Sequence, residues 1–216
     1  MEEENKKEKT NSRGEDTKKH IVAAYIRIMK NRKWNDISVK ELCQEAAITR
    51  STFYFHFENI SDLMETIENE ITEDVEKIFL KAKQELKISG MFSYNYEREE
   101  DFQPLKVTVE WFEYIRENAD KLHAVFNLNY AKYKFVHGIE EIIREYLDAA
   151  MKQAGFPNDF YRRQYLEMYS SLFVNGLHSW INDEEFESTE PMQMAKIIDS
   201  IRVGGICISR KEAATK

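Results

Sequence analysis

The chain runs to 216 residues, 42% of them hydrophobic, with 31 basic and 39 acidic side chains and a formal net charge of -8. That content supports one substantial core, or a small domain joined to a larger one, in an ordinary soluble protein. No apolar run approaches the roughly 20 residues that span a bilayer, and the N-terminal segment is charged rather than an apolar secretory core, so no membrane partner and a cytoplasmic location are expected.

Only 7 Gly and 3 Pro interrupt long charged-apolar periodic stretches, which favours an all-α fold with no strand-period segment. Residues 1–16, MEEENKKEKTNSRGED, hold no apolar residue after the initiator and are expected to form a disordered tail. A solubilising role for it is favoured over a basic arm built from Lys6, Lys7, Lys9 and Arg13, because acidic residues interrupt the basic ones. Thr17 is placed to cap the first helix. Ile21, Ala24, Tyr25, Ile28 and Met29 make its inward stripe, Asn31-Arg32-Lys33 ends it, and Trp34 and Ile37 plug the corner.

The stretch Ser38 to Leu63, SVKELCQEAAITRSTFYFHFENISDL, organises the rest. Ser38 and Thr49 stand where a hydroxyl accepts from an orphan amide of the following turn, so two short helices are expected. Val39, Leu42, Cys43 and Ala46 recur at helical spacing in the first, Phe53 and Phe57 sit four apart in the second, and Ile48 lies between them. Turning about 100° per residue from Thr49 puts Ser51, Thr52, Tyr54 and Phe55 on the outward side, with Arg50 and His56 at its margins. A short helix with a donor-rich outer face, held by a preceding one, is the reading half of a helix-turn-helix.

Here the sequence resembles the DNA-binding end of TetR-family transcriptional regulators. The run Thr49-Arg50-Ser51-Thr52-Phe53-Tyr54-Phe55-His56-Phe57 is similar to the family's recognition helix, and the match extends over roughly residues 17 to 65. Two positions depart from the pattern. Ala47 stands where the turn usually carries Gly, and Ile60 where a phosphate-binding Lys is common. The resemblance implies an N-terminal helix-turn-helix domain over 17–62, a helical regulatory and dimerisation domain over 63–208, and a C-terminal tail over 209–216. It also implies double-stranded DNA with a near-palindromic operator as partner. Arg50 is the first candidate for a base-edge contact, since a guanidinium bonds guanine bidentately. Ser51, Thr52 and Phe55 add hydrogen bonds or thymine-methyl contact, while Lys40, Tyr54 and His56 grip phosphates and Ser38 and Thr49 cap. Charge agrees: residues 17–60 hold 8 basic and 4 acidic side chains, whereas residues 61–216 hold 19 and 29.

A long helix is expected from Asn59 or Ser61 to about Lys87, with Leu63, Ile67, Ile71, Val75, Ile78 and Leu86 on its apolar stripe, linking the reading head to a separate body. Residues 88–103 break the pattern and read as a loop. Helices follow over about Pro104–Asn118, Asp120–Leu128, Lys132–Gly155, Asp159–Asn182 and Glu190–Ile208. Residues 91–180 carry 19 of the 27 aromatic side chains. A tightly packed aromatic core is one reading. Given the family, whose members usually sense a small molecule in this body, an effector cavity lined by Trp111, Tyr114, Phe126, Tyr130, Tyr133, Tyr169 and Phe173 is the other. The last two helices have stripes wider than one inner face requires. In the family such a pair joins its symmetry mate in a four-helix bundle, which implies a homodimer through Tyr165, Leu172, Gly176, Trp180, Met194, Ile198 and Ile201.

Catalytic chemistry was sought in the same residues. Carboxylate metal sites in helical bundles need Glu-x-x-His on two helices, and only Asp120-Lys-Leu-His123 comes near. No Gly-rich phosphate loop, nucleophile elbow or zinc motif is present, and Cys43 and Cys207 lack metal-like spacing. Neither an enzyme nor a cofactor or metal is expected. The composite expectation is a homodimeric repressor released by a small molecule, with a regulator acting through a protein partner, or as an activator without a ligand, as the alternative and a helical-bundle enzyme as a remote one.

Overall fold

The computed structural model describes residues 2–30, 36–87, 91–92, 102–126 and 132–213, with side chains over 14–30, 36–87, 91–92, 102–126 and 134–203. Among the described residues the structure is all helical, with nine α-helices: α1 Glu2–Met29, α2 Val39–Glu45, α3 Arg50–His56, α4 Ile60–Gln84, α5 Lys106–Glu117, α6 Ala119–Phe126, α7 Lys132–Gln153, α8 Phe160–Ile181 and α9 Pro191–Ala213. Two ends differ from the sequence reading. α1 begins at Glu2 rather than at Thr17, so the charged segment continues the first helix instead of forming a tail. Extending a nucleated helix adds one hydrogen bond per residue at no further nucleation cost, and Glu and Lys are good helix formers. The same argument carries α9 past Ile208 to Ala213. The expected corner plug Trp34, the helix end at Asn31-Arg32-Lys33, and most of the loop at 88–103 lie outside the described residues.

The chain divides into two compact units, Met1–Glu70 with Asp120–Lys132, and Ile71–Ala119 with Tyr133–Lys216. This division differs from the linear boundary at residues 62 and 63 by bringing most of α6 into the first unit. Ion pairs from Lys30 to Asp120 at 2.8 Å and from Lys121 to Glu70 at 3.6 Å accompany that association. Both are exposed, so the buried Leu122, Val125 and Phe126 contribute more to holding α6 there. The first unit's core gathers Ile21, Ala24, Tyr25 and Met29 from α1 with Leu42, Cys43, Phe53, Phe57, Leu63 and Ile67.

In the second unit Trp111, Phe112 and Ile115 of α5, Ile143 and Leu147 of α7 and Phe173 and Leu177 of α8 are buried, and Trp111 and Phe112 lie with their ring centroids 6.3 and 6.2 Å from Phe173. α7 ends where Gly155 takes φ +77°, which frees the Phe156 amide to donate to the Met151 carbonyl at 3.0 Å and the Gly155 amide to Lys152 at 3.1 Å. Buried Arg162 then fastens the turn: it donates to the Asp148 carboxylate at 2.6 Å, to the Asp148 carbonyl at 2.9 Å and to the Phe156 carbonyl at 3.0 Å. Asp159 caps α8 by accepting from the Arg162 amide at 2.9 Å.

Candidate nucleic-acid interface

The head of the first unit is built from local rules. Ser38 accepts from the Glu41 amide at 3.2 Å while the Glu41 carboxylate accepts from the Ser38 amide at 3.0 Å, a capping box that satisfies two orphan donors at the start of α2. At its other end Ala47 adopts φ +50°, the only non-glycine residue with positive φ among the described residues. The Ile48 amide consequently reaches the Cys43 carbonyl at 2.9 Å and the Ala47 amide reaches Gln44 at 3.2 Å, closing the helix in a Schellman motif. Where the family resemblance placed glycine, this chain holds alanine in the left-handed conformation that favours glycine.

Thr49 starts α3 with its hydroxyl accepting from the Thr52 amide at 3.1 Å. The same oxygen lies 2.8 Å from both the Ser51 and Thr52 hydroxyls, so the cap orients both groups. Phe53 is fully buried with its ring tilted against that of Phe57 at 5.8 Å between centroids, which anchors the inner face. The opposite face carries Arg50 and Ser51, both exposed, with Tyr54 57% and Phe55 82% exposed. Thr52 and His56 are half-buried, and Ser38 and Lys40 are exposed at α2. Two contacts outside the sequence reading brace this arrangement from α1. The His20 imidazole and the Ala46 carbonyl are 3.1 Å apart, and the Arg27 guanidinium pairs with Glu45 at 2.8 Å.

No family model matches the chain, and no curated protein matches it in sequence. Solved structures do match in fold. Salmonella enterica GusR superposes with a TM-score of 0.61 at 15% identity, over 88% of this chain and 95% of its own. A TetR transcriptional regulator from Streptococcus agalactiae 2603V gives 0.54 at 19% identity, over 89% and 96%. The dihydroxyacetone kinase operon activator DhaS gives 0.56 at 17% identity, over 89% and 97%. The chain has the TetR-family fold.

Within that TetR-like fold, the helical body places the aromatic residues singled out in the sequence differently from an open cavity. Trp111, Tyr169 and Phe173 are buried against one another, with ring centroids 6.3 Å apart for Trp111 and Phe173 and 5.7 Å for Tyr169 and Phe173, and Tyr114 stacks on Trp111 at 6.2 Å. The void beside them is about 10 Å³, room for at most one water. Phe126 belongs to the first unit, and Tyr130 and the side chain of Tyr133 lie outside the described residues. Among the described residues, Trp111, Tyr114, Tyr169 and Phe173 therefore pack ring against ring between α5 and α8. Among the described residues, open space includes two grooves that both reach Tyr146. One, of 460 Å³, runs between α4 and α7; the other, of 510 Å³, lies between the end of α4 and the start of α5. No periodicity marks a groove, so sequence reasoning had no signal for it.

The body also holds a buried polar cluster that the sequence reading missed. Asp199, with no exposed surface, accepts from the Thr108 hydroxyl at 3.2 Å, the Tyr169 hydroxyl at 3.2 Å, the Arg202 guanidinium at 3.1 Å and the Leu105 amide. Arg202 also donates to the Met91 carbonyl, and Tyr165 donates to the Arg202 carbonyl at 3.1 Å. Burial pushes the Tyr146 phenol up to about 12, against a smaller lowering by Arg202.

The residues assigned to a dimer face separate into two groups. Trp180 and Ile198 are buried within the unit, and Tyr165 is half-buried with its hydroxyl engaged. At Gly176 a Cβ would lie 2.8 Å from Ile198 Cδ1, so the missing side chain admits α9 against α8. Leu172 and Met194 are half-buried, and Ile201 is exposed. The structure also exposes Met168 and Ile197, which belong to the same wide apolar stripes of the last two helices.

Proposed function

We propose that this chain is a sequence-specific, DNA-binding transcriptional regulator working as a homodimer, and a repressor released by a small molecule. One observation carries the reading. α3 is clamped on its inner face by fully buried Phe53, capped by Thr49, and turns an exposed row of Arg50, Ser51, Tyr54 and Phe55 outward from the one basic segment of an acidic chain. Arg50 reads a base edge, Tyr54, His56 and Lys40 hold phosphates, and Phe55 supplies an apolar surface suited to a thymine methyl. The acidic remainder of the chain reduces non-specific adhesion to DNA.

Dimerisation follows from the outer faces of α8 and α9. Met168 at 68%, Ile197 at 53% and Ile201 at 48% exposed, flanked by Leu172 and Met194, form an apolar stripe that a second copy covers by two-fold symmetry. Two reading helices then address a near-palindromic site. The filled aromatic core gives weight to the alternative, a regulator acting without a ligand in that core, and the structural neighbour DhaS is by name an activator. The grooves flanking Tyr146 support an effector outside that core.

Selection from random duplexes with the full chain tests the reading. It is expected to enrich a near-palindromic sequence bound by a dimer in sedimentation. A monomer, or a chain that retains no duplex even in dilute salt, overturns it.

A further inference from the structure

We infer that the groove between α4 and α7 binds a hydrophobic organic cation, an inference that rests on the effector reading above and names its chemistry. The groove measures 460 Å³, inside the range of roughly 300 to 1,000 Å³ typical of small-molecule sites. Its floor is apolar: Phe79 and Tyr146 meet edge to face at 5.6 Å, and Ile142 and Leu80 extend the surface. Leu80 is 57% exposed, an apolar side chain left uncovered beside an open groove. At Gly138 an added Cβ would have nothing within 4 Å, so the α7 backbone leaves the space above it clear.

The walls are acidic. Glu76 comes from α4 and Glu141 and Glu145 from α7, against the single cation Lys83. Glu141 is compensated by Arg144 at 2.9 Å. Glu76 and Glu145 have no ion-pair or hydrogen-bond partner among the described residues. Like charges held around one groove repel, and that repulsion is relieved when a cation enters between them. An anion is disfavoured by the same field, and a neutral ligand gains nothing from it. A bare metal ion fits poorly, since among the described residues no three His, Cys, Asp or Glu side chains converge closely enough to ligate one. Apolar floor and acidic rim together match a ligand with a hydrophobic body and a fixed positive charge, such as a quaternary ammonium.

The test titrates the full-length chain calorimetrically with benzyltrimethylammonium and with its neutral isostere neopentylbenzene. The wild type is expected to favour the cation by about tenfold, the scale of one or two surface-screened charge contacts. The double variant Glu76→Gln with Glu145→Gln is expected to erase that preference. Glu73→Gln, on α4 outside the groove lining, is expected to keep it. Equal binding of the two probes, no binding of either, or a preference that survives the double substitution overturns the inference. The same samples are titrated with the selected duplex. Intact duplex binding with no cation binding sinks the groove assignment and leaves the regulator reading standing. Cation binding that leaves duplex affinity unchanged keeps the site and removes its effector role.

Discussion

Replacing Ala47 by glycine should stabilise the head, against the usual direction for an exposed alanine. Ala47 holds φ +50° at the position that ends α2, and its side chain is exposed, so its methyl contributes little burial. For an L-residue the left-handed conformation costs roughly 1 to 2 kcal/mol that glycine does not incur. Glycine gives back about 0.4 to 1 kcal/mol through its more disordered unfolded state. The net expectation for Ala47→Gly is a gain of about 0.5 to 1 kcal/mol, or about 2 to 4 °C in Tm at the upper end for a chain of this size. Urea unfolding followed by circular dichroism measures the difference. Amide exchange localises it, because the Ile48 amide bonds the Cys43 carbonyl at 2.9 Å only while the motif is closed, and its protection should rise. A β-branched residue tolerates positive φ worse still, so Ala47→Val should lose a further 1 kcal/mol, approximately. A glycine variant that loses stability, alongside a valine variant that does not, would refute the assigned backbone conformation and with it the account of how the turn aims α3.

Arg50→Ala should cost about 1 to 3 kcal/mol on the selected duplex and far less on a scrambled one, whereas Tyr54→Phe should weaken both alike, as competition binding would show. Met168→Asp combined with Ile197→Asp should shift sedimentation from dimer to monomer without altering helical content, since both side chains are exposed in the single chain. Alkaline pH should destabilise the body: Tyr146 has its folded pKa raised by burial from 10.0 to about 12, so its contribution is complete below pH 10 and is lost as pH rises through about 12. Equilibrium unfolding between those pH values checks the sign. Asp199→Leu alone should cost about 3 to 5 kcal/mol by stranding the buried Arg202, while Asp199→Leu with Arg202→Met should recover most of that loss in denaturant unfolding.

The helix-turn-helix was legible because its signals are short in range. A hydroxyl three residues before its amide partner, or Phe53 and Phe57 one turn apart, can be read from neighbours in the chain. Glycine at 155 could equally be read as a helix stop. What escaped notice depends on partners far away in sequence. Gly176 reads as a small residue on an interfacial stripe, and only the position of Ile198, on another helix, shows which surface it serves. The aromatic residues of the body have the same composition whether they line a cavity or fill it. The answer lies in how α5, α7 and α8 pack, and no spacing encodes that. α6 belongs to the first unit through residues that precede α7 by only a few positions, which no composition shift announces.

The Asp199 and Arg202 pair connects these two kinds of information. Burying a charge pair without exposed surface gives little net stability, because desolvation offsets most of the attraction. Its geometric effect is larger. Asp199 accepts hydrogen bonds from three groups outside α9, the Leu105 amide, the Thr108 hydroxyl and the Tyr169 hydroxyl, and these are lost if α9 turns by one residue, about 100°, whereas the Arg202 bond turns with the helix. A purely apolar α9 would have no such constraint, since Ile197, Ile198 and Ile201 are near-equivalent fillers. Fixing Asp199 inward therefore fixes Ile197 and Ile201 outward, beside Met168 of α8. The same buried group that makes the core selective for one helix rotation determines which apolar stripe faces outward, the stripe proposed above as the dimer surface. On this reasoning the double variant Asp199→Leu with Arg202→Met should recover stability more fully than it recovers dimerisation.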